Sequence, residues 1–172
     1  TSINNFNIAN LANLKTALWE NSGQTPTDLQ GADLINFVRG IDAYDENADN
    51  DKTEKRWKLG DVYHSRLVVV GAPKSKTTTT ATRSNTEAYY RYQNGYSNFK
   101  TGGSCGGNCG MRQEVVYVGA NDGMLHAFNS ETGEEMWAFI PPTMLQSLDK
   151  MISFSANKSN SIYGVDGSPI VK

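Results

Sequence analysis

The sequence predicts a mainly β chain built as part of a β-propeller: about one blade plus the first strand of the next, with an N-terminal helical segment and a long inter-strand insertion. Three observations carry this reading. Apolar spacing changes from three-and-four to short strand-like runs at Trp57. Turn signals at Asn121-Asp122-Gly123 and Thr132-Gly133 separate three such runs by loops too short for a helical crossover, which forces an antiparallel meander. Residues 60–69 are echoed by residues 163–171, each a polar, Ser-containing lead-in to an aliphatic run.

The first unit is residues 1–56. Ile8, Leu11, Leu14 and Leu18 fall on one helical face, with Asn7 as cap and Gly23 as stop. Pro26, then Thr27 and Gln30 as a capping box, then Leu34, Phe37 and Val38, announce a second helix that Gly40 ends. A pair this short has too little core to stand alone, so it is expected to be a docking segment that packs on the rest of the chain.

An acidic stretch comes next, with side-chain oxygens at Asp45, Asn47, Asp49 and Asp51. Alternate positions let one loop aim several hard oxygens at a single Ca²⁺, as in the first half of an EF-hand loop. Asn50 occupies the position of the usual Gly, and Arg56 stands where a bidentate Glu is expected; Glu54 could close the site only in a different loop geometry. Calcium is the cofactor this spacing implies, and a solvated polar turn is the other reading.

The second unit, residues 57–172, holds the partial propeller. Strands are expected at 62–70, 115–119, 124–128 and 135–140, the last stopped by Pro141-Pro142. A blade is about 40–50 residues long, so the wider spacing of the echo requires an insertion. Residues 74–113 supply it, from Thr77-Thr78-Thr79-Thr80 to a Gly-rich end. Within it Ser84 and Glu87 suggest a capping box ahead of Tyr89, Tyr92, Tyr96 and Phe99, an aromatic stripe that either packs on the propeller wall or forms an exposed contact surface. Cys105 and Cys109 are separated by three residues rich in Gly. A disulfide is the expectation in an exported protein, with a metal half-site and free thiols as alternatives.

Composition narrows the function. The 172 residues carry 16 Lys+Arg against 18 Asp+Glu, a net charge of -2 that provides no basic surplus for nucleic acid. The longest aliphatic run, Leu67-Val68-Val69-Val70, is far short of the roughly 20 residues of a membrane span. No catalytic residues are indicated: nucleophile-elbow, phosphate-loop and His-Glu-x-x-His patterns are missing, and His64 and His126 each sit in a strand-like run, where a packed or hydrogen-bonded imidazole is the ordinary outcome. The run stops at Lys172 without a turn, so the chain is expected to be a piece of a larger protein.

The segment Val116-Tyr117-Val118-Gly119-Ala120-Asn121-Asp122-Gly123-Met124-Leu125-His126-Ala127-Phe128-Asn129, continuing through Thr132-Gly133 to Trp137-Ala138-Phe139-Ile140-Pro141, closely resembles the C-terminal propeller of the PilC/PilY type IV pilus biogenesis proteins, the pilus-tip adhesins. Leu59-Gly60-Asp61-Val62-Tyr63-His64-Ser65 resembles that family's first strand, and Val165-Asp166-Gly167-Ser168-Pro169 the start of its next blade. The resemblance implies a non-enzymatic, exported protein at the pilus tip, outer membrane or extracellular surface. It implies roles in pilus assembly, adhesion and twitching motility, with minor pilins and a host or abiotic surface as partners. It also implies that the family's calcium loop lies in a later blade, so calcium at Asp45, Asn47, Asp49 and Asp51 rests on spacing alone. Similar hairpins occur in quinoprotein-type dehydrogenase propellers, the alternative reading.

Overall fold

The computed structural model describes residues 5–20, 23–103, 109–153 and 158–171. A 3₁₀ turn, Ile8–Asn10, leads into α1 (Leu11–Leu18). The helix expected to run on from Asn7 therefore begins with a tighter turn, and Asn7 makes no side-chain cap. The Asn10 amide donates to the Asn5 carbonyl at 2.7 Å, the kind of local bond by which Asn competes with helical pairing.

α2 (Asp28–Val38) forms as the sequence dictates. Thr27 Oγ1 accepts the Gln30 N–H, the Gln30 side chain accepts the Thr27 N–H, and Gly40 leaves the helix with φ +95°. Gly31 lets α1 cross closely: a Cβ there would stand 2.6 Å from Leu11 Cδ1.

Neither helix has a core of its own. Leu18, Leu34, Ile35, Phe37 and Val38 are buried together with Met124, Met144, Leu148, Met151 and Ile162. Each fully buried aliphatic or aromatic side chain contributes about 1.5–3 kcal/mol, so this shared cluster is what seats the helical pair.

The sheet is a meander of β1 (Val68–Val70), β2 (Val115–Gly119), β3 (Leu125–Asn129) and β4 (Glu135–Phe139), antiparallel in that order. Gly123 (φ +80°) closes the first hairpin and Gly133 (φ +73°) the second. β1 is shorter than the expected run from Val62. The preceding residues make their bonds elsewhere: Asn121 N–H donates to the Asp61 carbonyl, and Arg66 N–H to Ser168 Oγ.

Helix outweighs strand, which corrects the expectation of a mainly β chain: 32% of the structure is helical and 15% is strand. The strands are only three to five residues long in the main sheet. After β4, Pro141-Pro142 does end the strand, but a 3₁₀ helix, Pro142–Met151, begins at once. It buries Met144, Leu148 and Met151, an apolar spacing readable in the sequence and missed there. A two-stranded ribbon, β5 (Ile152–Ser153) with β6 (Lys158–Ser159), comes next. Among the described residues no helix is long and apolar enough to cross a membrane.

In the insertion, α3 (Glu87–Gln93) and α4 (Tyr96–Lys100) are split by Gly95 at φ +73°. The cap of α3 is Thr86, which accepts the Tyr89 N–H; Ser84 instead ends a 3₁₀ turn. Neither helix has a buried residue. α3 and α4 pack on each other, and α4 on the turn Cys109–Met111, so the expected packing of the stripe on the sheet is replaced by packing within the insertion.

Candidate functional site

Register places Val68, Val70, Val115, Tyr117, Leu125, Ala127, Trp137 and Phe139 on one face of the sheet. Val69, Val116, Val118, His126, Phe128 and Ala138 take the other. Both faces are therefore predominantly apolar, unlike a sheet with one wet side. Trp137, Phe139 and Val69 are 44%, 50% and 55% exposed.

One polar network interrupts the second face. His126, buried, meets Asp122 through Nε2 at 2.9 Å and Glu135 through Nδ1 at 2.7 Å, and its ring stacks on Phe128. Asp122 Oδ2 also accepts the Gly60 N–H, its Oδ1 accepts the Met124 N–H, and Lys58 pairs with Glu135. Burial alone would depress the imidazole, but bonds and charges from Asp122 and Glu135 outweigh it and hold His126 above its ordinary 6.5. Burial acts upward on the Glu135 carboxyl, yet Lys58 and His126 bring it below 4.5. The network thus sets the imidazole between two carboxylates and ties residues 58–60 and the β2–β3 turn to β4. A cleft of about 320 Å³ lies beside it, lined by Lys58, Met124, His126, Glu135 and Trp137 among others.

The two echoed segments lie side by side. His64 Nδ1 is 2.8 Å from Asp166 Oδ2, and Ser168 Oγ accepts the Arg66 N–H at 3.0 Å, each pair 102 residues apart. Equal separation in sequence means that the segments run parallel. Ser65 Oγ accepts the Gly119 N–H at 2.9 Å, while the 165–167 backbone presses on the other side of that glycine, where a Cβ would meet Val165 O at 1.9 Å. His64 is half exposed and paired with a carboxylate; His126 is packed and hydrogen-bonded.

The acidic loop is closed by the bridge Ile41–Lys55 and by Arg56, which pairs with Glu46 and lies 3.9 Å over the Phe37 ring. Asp45, Ala48 and Asn50 have φ +56°, +61° and +69°. Asp45 Oδ1 accepts the Asn50 N–H, Asp49 Oδ1 the Asp51 N–H, and Asp51 Oδ1 the Thr53 N–H. The Asn47 amide donates to both Asp49 and Glu54, at 3.0 and 2.7 Å. Glu54 is held above its ordinary range by desolvation and then by the charge of Asp49, with Asp51 and Asp42 adding to it. The donor set is all oxygen, as a hard cation requires. As placed, the carboxylates are spread along the loop: among the described residues no three His, Cys, Asp or Glu side chains converge on a metal position.

The expected disulfide cannot be placed, since Cys105 lies outside the described residues and only the backbone of Cys109 is described. The insertion does present aromatics: Tyr90 and Tyr92 are exposed, and Tyr89–Tyr92 and Tyr96–Phe99 form ring pairs at 6.2 and 5.8 Å.

Comparison with curated proteins identifies relatives of this chain. The chain is 33% identical over 160 residues to the type IV pilus biogenesis factor PilY1 homolog of Xylella fastidiosa, covering 93% of this chain and 12% of the relative. It is 33% identical over 169 residues to the PilY1 factor of a Pseudomonas aeruginosa strain, covering 96% and 13%. The chain is homologous to a segment of the PilY1 factors. With the PilY1 of P. aeruginosa strain PAK the identity is 35% over 149 residues, covering 84% of this chain and 11% of the relative. The chain thus spans about an eighth of the length of its PilY1 relatives. No family model matches it, and no solved structure does.

Proposed function

We propose that this chain is a non-enzymatic segment of a type IV pilus biogenesis factor, exported to the pilus tip, outer membrane or extracellular surface, and that its meander is one blade of a β-propeller. The observation that carries the reading is homology to PilY1 factors along 93–96% of the chain. Two features of the fold support the blade. A four-stranded meander apolar on both faces calls for a neighbour on each side, as radial packing provides. Parallel placement of segments 102 residues apart is what successive blades give to their equivalent lead-in strands.

In this reading the sheet is the scaffold, and the insertion 74–113 is the displayed surface through which minor pilins or a host or abiotic surface is met. Two variants of the parent protein, expressed in a strain lacking it, test this. Trp137→Glu abolishes surface piliation and twitching, because it charges a face that must be covered. Replacement of 74–113 by a short Gly-Ser linker keeps pili and changes adhesion. Normal piliation with Trp137→Glu, or unchanged adhesion without the insertion, overturns the respective half.

A second reading, calcium binding by Asp45, Asn47, Asp49 and Asp51, is favoured by the position of Glu54. Glu54, hydrogen-bonded to Asn47 and raised by desolvation and then by the charge of Asp49, would supply the carboxylate missing from the twelfth position once the loop gathers its oxygens around an ion.

A further inference from the structure

We propose that the free edge of β4 is a strand-docking site, which takes an extended segment of a partner protein carrying one acidic side chain among apolar and β-branched ones. The proposal goes beyond the pilus reading and does not depend on it.

β4 ends the sheet. It pairs with β3 alone, and its outer N–H and C=O groups make no backbone hydrogen bond among the described residues. Such a row is a template for a further strand, so edges are ordinarily guarded by shortness, charge or proline. The opposite edge, β1, is only three residues long. β4 is guarded at its two ends, by Glu135 and by Pro141, but Met136-Trp137-Ala138-Phe139-Ile140 between them carries no charge. That stretch is about 17 Å of open ladder.

There is room beside it for one more chain. A cleft of about 660 Å³ is lined by Ala138, Phe139 and Ile140 together, and one of about 320 Å³ by Met136, Trp137 and Ala138. Consecutive strand residues point to opposite faces, so a cleft that touches three in a row opens on the edge of the strand. Phe6 and Arg39 line both clefts, and Arg39 Nη1 donates to the Phe6 carbonyl at 2.9 Å. The groove therefore runs between a strand edge and the helical pair.

Charge sets the preference. Lys58 is paired with Glu135, whereas Arg39 has no carboxylate partner among the described residues, and the Phe6 carbonyl engages only one of its donors. An acidic side chain on the docked strand supplies what Arg39 lacks. A second copy of this chain would not, since the one acid in its own β4, Glu135, is already held by Lys58.

The test uses the ¹⁵N-labelled 172-residue chain and a blocked heptapeptide of alternating valine and threonine with aspartate at its centre. Hydrogen exchange is read amide by amide. At about ten times the peptide's Kd, alternate amides within 136–140 are expected to slow about tenfold, while those between them, which face β3, stay as they were. A peptide N-methylated at three consecutive residues, which removes donors from both of its edges, should have no effect. An asparagine-centred peptide should bind about two- to fivefold more weakly than the aspartate one, and Arg39→Gln, at an exposed position, should erase that difference. The absence of the alternating pattern, equal action of the N-methylated peptide, or no aspartate preference in the unsubstituted chain overturns the proposal. Slowing of the same amides by protein concentration alone also overturns it, by giving the edge to a second copy.

Discussion

His64 Nδ1 stands 2.8 Å from Asp166 Oδ2, so two segments that resemble each other in sequence are joined directly across 102 residues. The pair is half exposed, with 62% and 34% of the two side chains open, and a solvated ion pair contributes little. Close backbone contact beside it matters more. Gly119→Ala is expected to cost about 1–3 kcal/mol in urea unfolding, because the added methyl would strike Val165 O. Asp166→Ala should cost less than about 1 kcal/mol. A reversed order would show that the side-chain pair, rather than the backbone approach, joins the segments.

The buried imidazole gives stability a pH signature. His126 is raised in the folded state, so its contribution is complete below 6.5 and is lost as pH climbs through the folded value. Glu135 is lowered, so its contribution is complete above 4.5 and is lost as pH falls through its folded value. Both are intact between 4.5 and 6.5, where the thermal midpoint should be highest. His126→Gln should remove the alkaline decline; an unchanged alkaline limb in that variant would assign it to other groups.

Two caps of similar geometry should behave differently. Thr27→Ala removes half of the α2 capping box and is expected to lower global stability by about 1 kcal/mol, since α2 carries the core. Thr86→Ala removes the α3 cap in a helix with no buried residue. Its effect should appear as faster amide exchange within 87–93, with the global midpoint unmoved.

Calorimetric titration with calcium tests the acidic loop. Saturable heat at up to millimolar Ca²⁺ is expected, and Asp49→Ala should remove it. Magnesium serves as the size control. The absence of metal-dependent heat in the unsubstituted chain would retire the loop as a site.

Much of this fold was legible because single residues enforce it. Thr27 with Gln30, Gly40, Gly123, Gly133 and Pro141 each fix a local geometry that few alternatives satisfy, and each stands where expected. The helix Pro142–Met151 was obscured by the Pro pair, which reads as a stop when it also begins the next element. The shortness of β1 was not legible either. Val62 to Val70 has one uniform β-rich pattern, and only tertiary bonds from residues 61, 65 and 66 decide where pairing begins. Among the site residues, His126 was recognised as packed, but its partners were not. Asp122 lies one turn away in sequence, while Glu135 and Lys58 meet it only through strand register and the lead-in segment.

The oily surfaces of the sheet have a practical consequence for anyone purifying this chain. With Trp137, Phe139 and Val69 facing water on opposite sides, two copies can each hide what the other shows. Its melting temperature should therefore climb with protein concentration, and dilution series belong ahead of any ligand assay, because self-association would otherwise be mistaken for binding.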